Sequence, residues 1–132
     1  MLIELYLPFP PSNNHYYVKT KRGIFISKKG RLFREAAAEA VQSQLGMGGG
    51  DFPITERMLI ETVYFPPDRR IRDIANYSKA LHDALTLAEL WEDDSLIDQN
   101  FEYRGVVRPG SGSVFMRIQP AGPLIADPQS LP

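Results

Sequence analysis

Three aspartates and one lysine in the second half of the chain have side chains suited to metal-assisted chemistry. Asp73 stands six residues before Lys79, and Asp93 and Asp94 adjoin each other further along. A hard cation such as Mg²⁺ takes carboxylate oxygens, waters and a phosphate oxygen as ligands. Such an ion activates an attacking water, and a nearby lysine neutralises charge that builds on the leaving oxygen. Together these residue types predict metal-assisted cleavage of a phosphodiester.

Each of these residues also has a structural explanation. Asp is a favoured N-cap, so Asp73 suits the start of a helix. Asp93, Asp94 and Ser95 suit an ordinary Asx-turn, and Lys79 suits a solvated helix position. Adjacent carboxylates repel each other, however, and a bound cation offsets that repulsion. The pattern as a whole therefore indicates chemistry more strongly than any one residue does.

Charged residues are segregated along the chain, although the net charge is only −1. Residues 19–34 hold seven basic side chains and no acidic one, and three arginines cluster at 69–72. Residues 81–103 hold seven acidic side chains and no Lys or Arg. Either run alone is explained by a charged face of the protein that is exposed to solvent. In combination, the runs predict a cationic surface beside an anionic pocket.

Length and composition limit the classes of protein that remain. The 132 residues are 43% hydrophobic and 23% charged, which is typical of one globular domain. The chain has no cysteine, which excludes disulfides, thiolate nucleophiles and cysteine-ligated metal centres. His15 and His82 lack zinc-ligand spacing and are interpreted as ordinary polar residues. No apolar run reaches about 20 residues and no signal pattern opens the chain, so we expect a cytoplasmic protein without a membrane partner.

The hydrophobic pattern predicts an α+β domain with a mixed sheet and two main helices over residues 1–119. Strands are expected over 2–7, 57–65, 97–107 and 113–118, with the strand at 57–65 central in the sheet. A hairpin is expected around Arg22 and Gly23, and a helix over 30–45 that ends at Gly46. Four prolines after residue 119 predict a weakly ordered tail over 120–132.

A second helix is expected to begin near Asp73 and to carry two distinct faces. At about 100° per residue, one arc is predicted to be buried. It comprises Ile74, Tyr77, Leu81, Ala84, Leu85 and Ala88. A separate stripe beside it comprises Asp73, Asn76, Ala80 and Asp83, and Lys79 lies further round. The candidate catalytic residues Asp73 and Lys79 would lie on this stripe and next to it.

Two segments resemble the RusA family of Holliday-junction resolvases. The first is Arg72-Asp73-Ile74-Ala75-Asn76, followed by Lys79, Asp83-Ala84-Leu85 and Trp91-Glu92-Asp93-Asp94. The second is the opening Leu-Pro-Phe-Pro-Pro-Ser-Asn-Asn-His-Tyr-Tyr at 7–17. Together they cover about a third of the chain in matching order and spacing. The family consists of small homodimers, often encoded by phages or prophages, that cut four-way DNA junctions with Mg²⁺ or Mn²⁺.

The resemblance implies roles for individual residues. Asp73 corresponds to the first catalytic aspartate, Lys79 to the catalytic lysine, and Asp94 to the aspartate that completes the metal site. Ala75 departs from the family pattern, which has a second aspartate there. Three explanations are open: Asp83 or Asp93 supplies the missing ligand, the metal is bound with fewer carboxylates and more waters, or the chain is an inactive variant. Asp93 is the easier substitute, because Asp83 lies roughly 15 Å of helix rise beyond Asp73.

The leading hypothesis is therefore a metal-dependent resolvase that makes paired cuts in four-way DNA junctions as a homodimer. The alternatives are a branched-DNA-binding homologue with weakened or lost cleavage, and a structural protein that binds no DNA. Phosphate contacts are expected mainly from basic side chains. The expected DNA-binding residues are Lys19, Lys21, Arg22, Lys28, Lys29, Arg31, Arg69, Arg70, Arg72 and Asn76.

Overall fold

The computed structural model of the protein describes residues 1–47 and 50–132. In this part of the chain, six strands and three α-helices follow one another, with short 3₁₀ turns at Ile74–Tyr77, Asp94–Leu96 and Pro128–Ser130. In chain order they are β1 (Ile3–Leu7), α1 (Asn13–Tyr16), β2 (Tyr17–Thr20), β3 (Gly23–Ile26), α2 (Lys28–Leu45), β4 (Met58–Phe65), α3 (Ser78–Leu87), β5 (Ile97–Arg104) and β6 (Ser113–Pro120).

Four strands form one mixed sheet in the order β1-β6-β4-β5. β4 pairs in parallel with β5 and antiparallel with β6, and β1 pairs antiparallel with β6. β2 and β3 form a separate antiparallel hairpin that turns at Lys21 and Arg22. The predicted α+β class, the mixed sheet, the hairpin and the interior place of β4 are confirmed.

The core lies between the sheet and the helices. Alternate residues of β4 are buried, as expected for a strand with one covered face. Phe33, Ala37 and Val41 of α2 are buried at helical spacing against this layer. The opposite face of the sheet carries side chains such as Tyr6, which is exposed. The helices therefore cover one face only, and they present the sequence motifs on their side of the sheet.

α2 begins and ends as its sequence predicts, apart from a shift of two residues at the start. Ser27 is the N-cap, and its hydroxyl accepts a hydrogen bond from the Gly30 N–H at 3.0 Å. Gly46 adopts a left-handed conformation with φ of 57°, which ends the helix. The helix thus starts at Lys28, so two lysines occupy its first turn.

The predicted second helix divides into two parts, and this corrects the predicted faces. Residues 74–77 form a 3₁₀ turn and α3 begins only at Ser78. A 3₁₀ turn has about three residues per turn, so a rotation of 100° per residue does not hold across it. Ala80, predicted on the polar stripe, is fully buried. Tyr77, Leu81, Ala84 and Leu85 are buried as predicted, whereas Ile74 and Ala88 are half-buried.

The last residues lie along the outside of the fold. The Ala121 N–H donates to the Arg57 carbonyl at 3.0 Å, and residues 122–132 are exposed. β5 ends at Arg104, three residues before the predicted boundary. In the described part of the chain, no helix combines the length and the apolar character that crossing a membrane requires.

Candidate active site and DNA-binding surface

Asp73 is exposed and caps the 3₁₀ turn that leads into α3. Its Oδ1 accepts a hydrogen bond from the Ala75 N–H at 3.1 Å. Within the described residues this is the one hydrogen bond of its side chain, so Oδ2 has no protein partner there. Asp73 thus fulfils the structural role and keeps one oxygen available for a ligand.

Asp93 and Asp94 have different environments although they are neighbours. The Asp93 Oδ2 accepts from the Ser95 N–H at 3.0 Å, as in an Asx-turn. Hydrogen bonds from the Ser95 side chain and backbone lower the pKa of Asp93. Asp94 is exposed, and its carboxylate has no hydrogen bond to the described residues. Asp93 therefore holds the turn, while Asp94 is free to bind a ligand.

The side chain of Lys79 lies beside the ring of Tyr17. The Lys79 ammonium lies 5.3 Å from the centroid of that ring. Burial chiefly raises the pKa of the Tyr17 phenol, and the negative charges of Asp83 and then Asp94 raise it further. α3 supplies the lysine, and the turn before β5 supplies the aspartate. Lys79 thus lies at Tyr17, and Asp94 is near enough for its charge to act on the same phenol.

Asp83, whose charge also acts on the Tyr17 phenol, belongs to a polar cluster with Tyr16 and Arg34. Its Oδ2 accepts hydrogen bonds from Arg34 Nη2 and from the Tyr16 hydroxyl, each at 3.0 Å. Arg34 Nε also donates to the Tyr16 oxygen at 2.6 Å. The ring of Tyr16 is fully buried, and burial is the main cause that raises its pKa to about 12. Asp83 therefore joins α1, α2 and α3, and it is a poor substitute for the missing carboxylate.

The carboxylates fit a hard cation only with help from other ligands. In residues 1–47 and 50–132, no three His, Asp or Glu side chains are grouped so that they could hold a metal ion. Mg²⁺ usually binds through one or two carboxylates, several waters and substrate phosphates. Asp73 and Asp94, each with oxygens that lack protein partners, are donors of the type that such an ion takes.

Ala75 occupies an exposed position in the 3₁₀ turn, next to Asp73. A longer side chain there would extend into solvent rather than into the core. The position can therefore accept the carboxylate that the family pattern places there.

Four of the predicted DNA-binding residues line two concave surfaces. Lys29, Arg70 and Arg72 line a groove of about 340 Å³ beside the proline-rich segment after β1. Lys19 and Lys79 line a second pocket of about 370 Å³. Lys21 and Arg22 are exposed at the hairpin turn, and Lys28 is exposed in the first turn of α2. Basic side chains that are distant in sequence thus share two concave surfaces.

Some of these cations already have protein partners. Arg72 Nη1 bonds to Asp68 Oδ1 at 2.6 Å, and its side chain is only 14% exposed. This hydrogen bond is the main cause that lowers the pKa of Asp68 to about 2. Arg31 donates to the Ile26 carbonyl at 3.0 Å. Arg70 Nε lies 3.6 Å from Asp68 Oδ2, but its side chain is 81% exposed. Arg69 is also exposed, so both arginines are accessible to phosphates.

Asn76 follows Ala75 in the 3₁₀ turn and is half-buried. Its backbone N–H donates to the Asp73 carbonyl at 3.0 Å. Its side chain has no hydrogen bond within the described part of the protein. Asn76 therefore lies beside Asp73 with an amide available for a ligand.

A buried polar cluster lies under the start of α3, and the sequence analysis missed it. The Ser78 hydroxyl and Asn100 Nδ2 both donate to Glu102 Oε1, the latter at 3.0 Å. Glu102 Oε2, the Tyr64 hydroxyl and His82 Nε2 are buried without a hydrogen-bond partner among the described residues. The alternation of Asn100 and Glu102 on β5 was the available signal, because it points both residues toward the helices.

The interpretation of both histidines as ordinary polar residues is wrong for His82, which is buried. It is only 8% exposed, and its ring lies 5.9 Å from the ring of Trp91. Burial lowers the pKa of His82, although the charges of Glu102 and Asp94 act in the opposite direction. His82 is therefore a buried aromatic side chain of α3 and contributes to the core.

Asn13 lies within the motif at residues 7–17, and the sequence alone assigns it no role. Its Oδ1 accepts a hydrogen bond from the Ala80 N–H at 3.0 Å, so it satisfies a donor in the first turn of α3. The same contact covers Ala80 and explains its burial. The opening motif thus fixes the start of the helix that carries Lys79.

The chain is similar in sequence to a known protein family and to several of its members. A family model described as endodeoxyribonuclease RusA matches residues 8–107, which include Asp73, Lys79 and Asp94. A crossover junction endodeoxyribonuclease RusA from Escherichia coli strain K12 is 37% identical over 103 residues, 78% of this chain and 80% of that protein. The protein of that name from Enterobacteria phage 82 is 38% identical with the same coverage. The one from Shigella sonnei is 37% identical.

Proposed function

This chain belongs to the endodeoxyribonuclease RusA family, and we propose that it resolves four-way DNA junctions by paired phosphodiester cuts. The relatives in the comparison are named crossover junction endodeoxyribonucleases, and one of them comes from a phage. The observation that carries the proposal for this chain is that Asp73 and Asp94, both inside the matched region, keep carboxylate oxygens without a protein partner among the described residues. We expect it to act in the cytoplasm of a bacterial host.

The proposed roles follow from the surroundings of each side chain. Asp94 and the free oxygen of Asp73 would hold Mg²⁺ or Mn²⁺, and Asp93 would keep the turn that presents Asp94. The bound ion would activate water and neutralise charge on the phosphate. Lys79 would bind the scissile phosphate or the leaving oxygen, where its positive charge stabilises the developing negative charge.

DNA binding is proposed to use the two basic surfaces rather than base contacts alone. Lys29 and Arg70 in one groove and Lys19 in the other pocket would contact phosphates, together with the exposed Arg69. Contacts to the DNA backbone position a protein on its substrate without reading sequence. Paired cuts on opposed strands need two active sites related by two-fold symmetry, so we propose a homodimer.

A second candidate is supported by two observations in the same site. Ala75 supplies no carboxylate, and the one described hydrogen bond of the Asp73 side chain is a capping bond. A homologue that binds branched DNA but cleaves it weakly or not at all is compatible with both. A protein that binds no DNA at all is the third candidate, and the exposed basic surfaces argue against it.

One experiment separates the three candidates. The protein is incubated with an end-labelled four-way junction in Mg²⁺ or Mn²⁺, and gel shift and denaturing electrophoresis are run in parallel. Paired nicks at opposed positions support the resolvase. A shifted band without nicks would favour the homologue that binds branched DNA without cutting it. The absence of a shift at low salt would favour a structural protein that binds no DNA. Linear duplex of the same sequence is the control and should remain uncut.

A further inference from the structure

The pocket that contains Lys79 has a lining more varied than cleavage of a phosphate requires. It measures about 370 Å³ and is lined by Asn13, Asn14, Tyr17, Lys19, Ile24 and Lys79. Sites for small ligands commonly measure about 300–1,000 Å³. The two lysines suit an anion, whereas Tyr17 and Ile24 offer apolar surface and the asparagines offer amide groups. A ligand that matches all three must be partly flat and apolar, partly polar and partly anionic.

Ile24 strengthens this interpretation because it is 68% exposed at a lysine-rich surface. Together with the half-buried Tyr17, it forms an apolar wall for which the described residues provide no cover. Aromatic and apolar side chains beside basic ones are typical of surfaces that bind unstacked nucleotides.

The amide of Asn13 has a fixed orientation. Its Oδ1 is held by the Ala80 N–H at 3.0 Å, so Nδ2 is the group left to donate to a ligand. Asn14 is exposed, and its side chain has no hydrogen bond within the described part of the chain. One amide is thus set as a donor, while the other can rotate. Such a pair would favour a base edge with a hydrogen-bond acceptor over one without.

We propose that this pocket binds one nucleotide of the junction strand beside the cut and selects the sequence that is cleaved. The base leaves the DNA stack and packs against Tyr17 and Ile24. Asn13 and Asn14 form hydrogen bonds to its polar edge. Its phosphate lies between Lys19 and Lys79. The inference rests on the proposed function, because DNA is taken as the ligand. It adds a sequence-selecting role for residues that have no part in the cleavage chemistry.

The first test locates the unstacked base without any cleavage. Junctions with 5-iododeoxyuridine at single positions next to the crossover are bound in metal-free buffer, irradiated and analysed by mass spectrometry. The expected product is a crosslink to Tyr17 at one junction position, lost in Tyr17→Leu and retained in the control Tyr103→Leu on the open sheet face. Crosslinks confined to other residues, or no crosslink in a bound complex, would overturn the proposal.

The second test measures sequence selection. Junctions that differ only in the bases at the crossover are cleaved by the wild-type protein, by Asn14→Ala and by the control Gln42→Ala, whose side chain is exposed on α2. The ratio of rates between the best and the average sequence should fall by about tenfold in Asn14→Ala and stay unchanged in the control. Equal ratios in all three proteins, or no preference in the wild type, would refute the selecting role.

The two tests separate this inference from the proposed function. A crosslink at Tyr17 in a protein that never cuts junctions would support the nucleotide pocket and contradict the resolvase. Paired cuts in a protein whose crosslinks avoid Tyr17 would support the resolvase and contradict the pocket.

Discussion

At the scale of single residues, the side chains in the site divide into those with a free charge and those already bonded. Asp94, Lys79 and one oxygen of Asp73 have no hydrogen bond to the described residues, whereas Asp83 is bonded to Arg34 and Tyr16. The sequence placed Asp83 too far along the helix to share an ion with Asp73, but it could not show which side chains are already bonded. The family resemblance selected Asp73, Lys79 and Asp94, and the structure gives a physical reason for preferring them to Asp83.

Ala75 permits a gain-of-function prediction. Ala75→Asp places a carboxylate at an exposed position beside Asp73, so it should raise the affinity for Mg²⁺ if a ligand is missing. We expect faster junction cleavage at low Mg²⁺ and little change at saturating Mg²⁺, measured by titrating the ion in single-turnover assays. Ala75→Asn is the matched control without the charge. Identical Mg²⁺ dependence in all three proteins would indicate a site already complete without this residue.

His82 leads to a prediction about pH and stability. Burial lowers its pKa below the value of about 6.5 expected in the unfolded chain. The unfolded state therefore takes up a proton before the folded state does, so stability is full above that value and falls as the pH decreases below it. His82→Phe retains an aromatic ring against Trp91 and removes the titrating group with its unpartnered nitrogen.

Urea unfolding at about pH 8 and about pH 5 tests this. The Phe variant should be at least as stable as the wild type at the higher pH, and it should lose less stability on acidification. His15→Phe controls for the loss of an exposed histidine. An equal loss for the wild type and His82→Phe would show that His82 is not the group responsible.

At the scale of secondary structure, the start of α3 is the feature that positions the site. Asn13 bonds to the Ala80 N–H, and Ser78 donates to Glu102 on β5. The hydrophobic period of the sequence, together with the glycines and prolines that end elements, was sufficient to predict α2, α3, the hairpin and the sheet. The 3₁₀ turn at 74–77 was not predicted, because its tertiary contacts are invisible to a pattern that assumes 100° per residue. The cluster around Glu102 was missed although the alternation along β5 offered a signal for it, because its members Tyr64 and His82 come from other elements.

Gly30 tests how the hairpin and α2 pack together. In a helix, Gly→Ala usually stabilises by about 1 kcal/mol. At Gly30, however, a Cβ would lie 2.5 Å from the Tyr16 carbonyl oxygen and 2.8 Å from the Ile26 side chain. Because overpacking of this kind costs about 1–3 kcal/mol, we expect Gly30→Ala to lower the free energy of unfolding.

The measurement is urea unfolding at equilibrium, with Ala38→Gly at an exposed position of the same helix as the reference for propensity. That control should lose about 1 kcal/mol. A stabilised Gly30→Ala would mean that α2 does not approach Tyr16 as closely as described.

At the scale of the whole molecule, a net charge of −1 conceals two basic surfaces beside an acidic turn. The charge segregation predicted a cationic surface beside an anionic pocket. The fold shows that Lys29 joins Arg70 and that Lys19 joins Lys79. Asp83 and Asp98 of the acidic run, however, are paired with Arg34 and Arg57. DNA binding that depends on these surfaces must release counterions. The domain limits at residue 119, the homodimer and the metal ion remain predictions.

The salt dependence of junction affinity follows from this arrangement. If about six phosphates are neutralised, affinity should fall about a thousandfold between roughly 50 and 200 mM salt. Arg69→Gln and Arg70→Gln should each reduce the log–log slope by about 1, as measured by fluorescence anisotropy. Arg117→Gln, on the open face of the sheet, should leave the slope unchanged. A flat salt response of the wild type would remove the basic surfaces from the binding site.

We propose that Asp73 and Asp94 hold a divalent cation and that Lys79 assists the cleavage of DNA. The most direct measurement compares junction cleavage and junction binding in the wild type, Asp73→Asn and Asp94→Asn, with the exposed Asp51→Asn as control. Both site variants should lose cleavage by at least about a hundredfold and bind the junction as tightly or more tightly, because they repel phosphates less. Asp51→Asn should cleave at the wild-type rate. Cleavage at the wild-type rate in Asp73→Asn or Asp94→Asn would contradict the account.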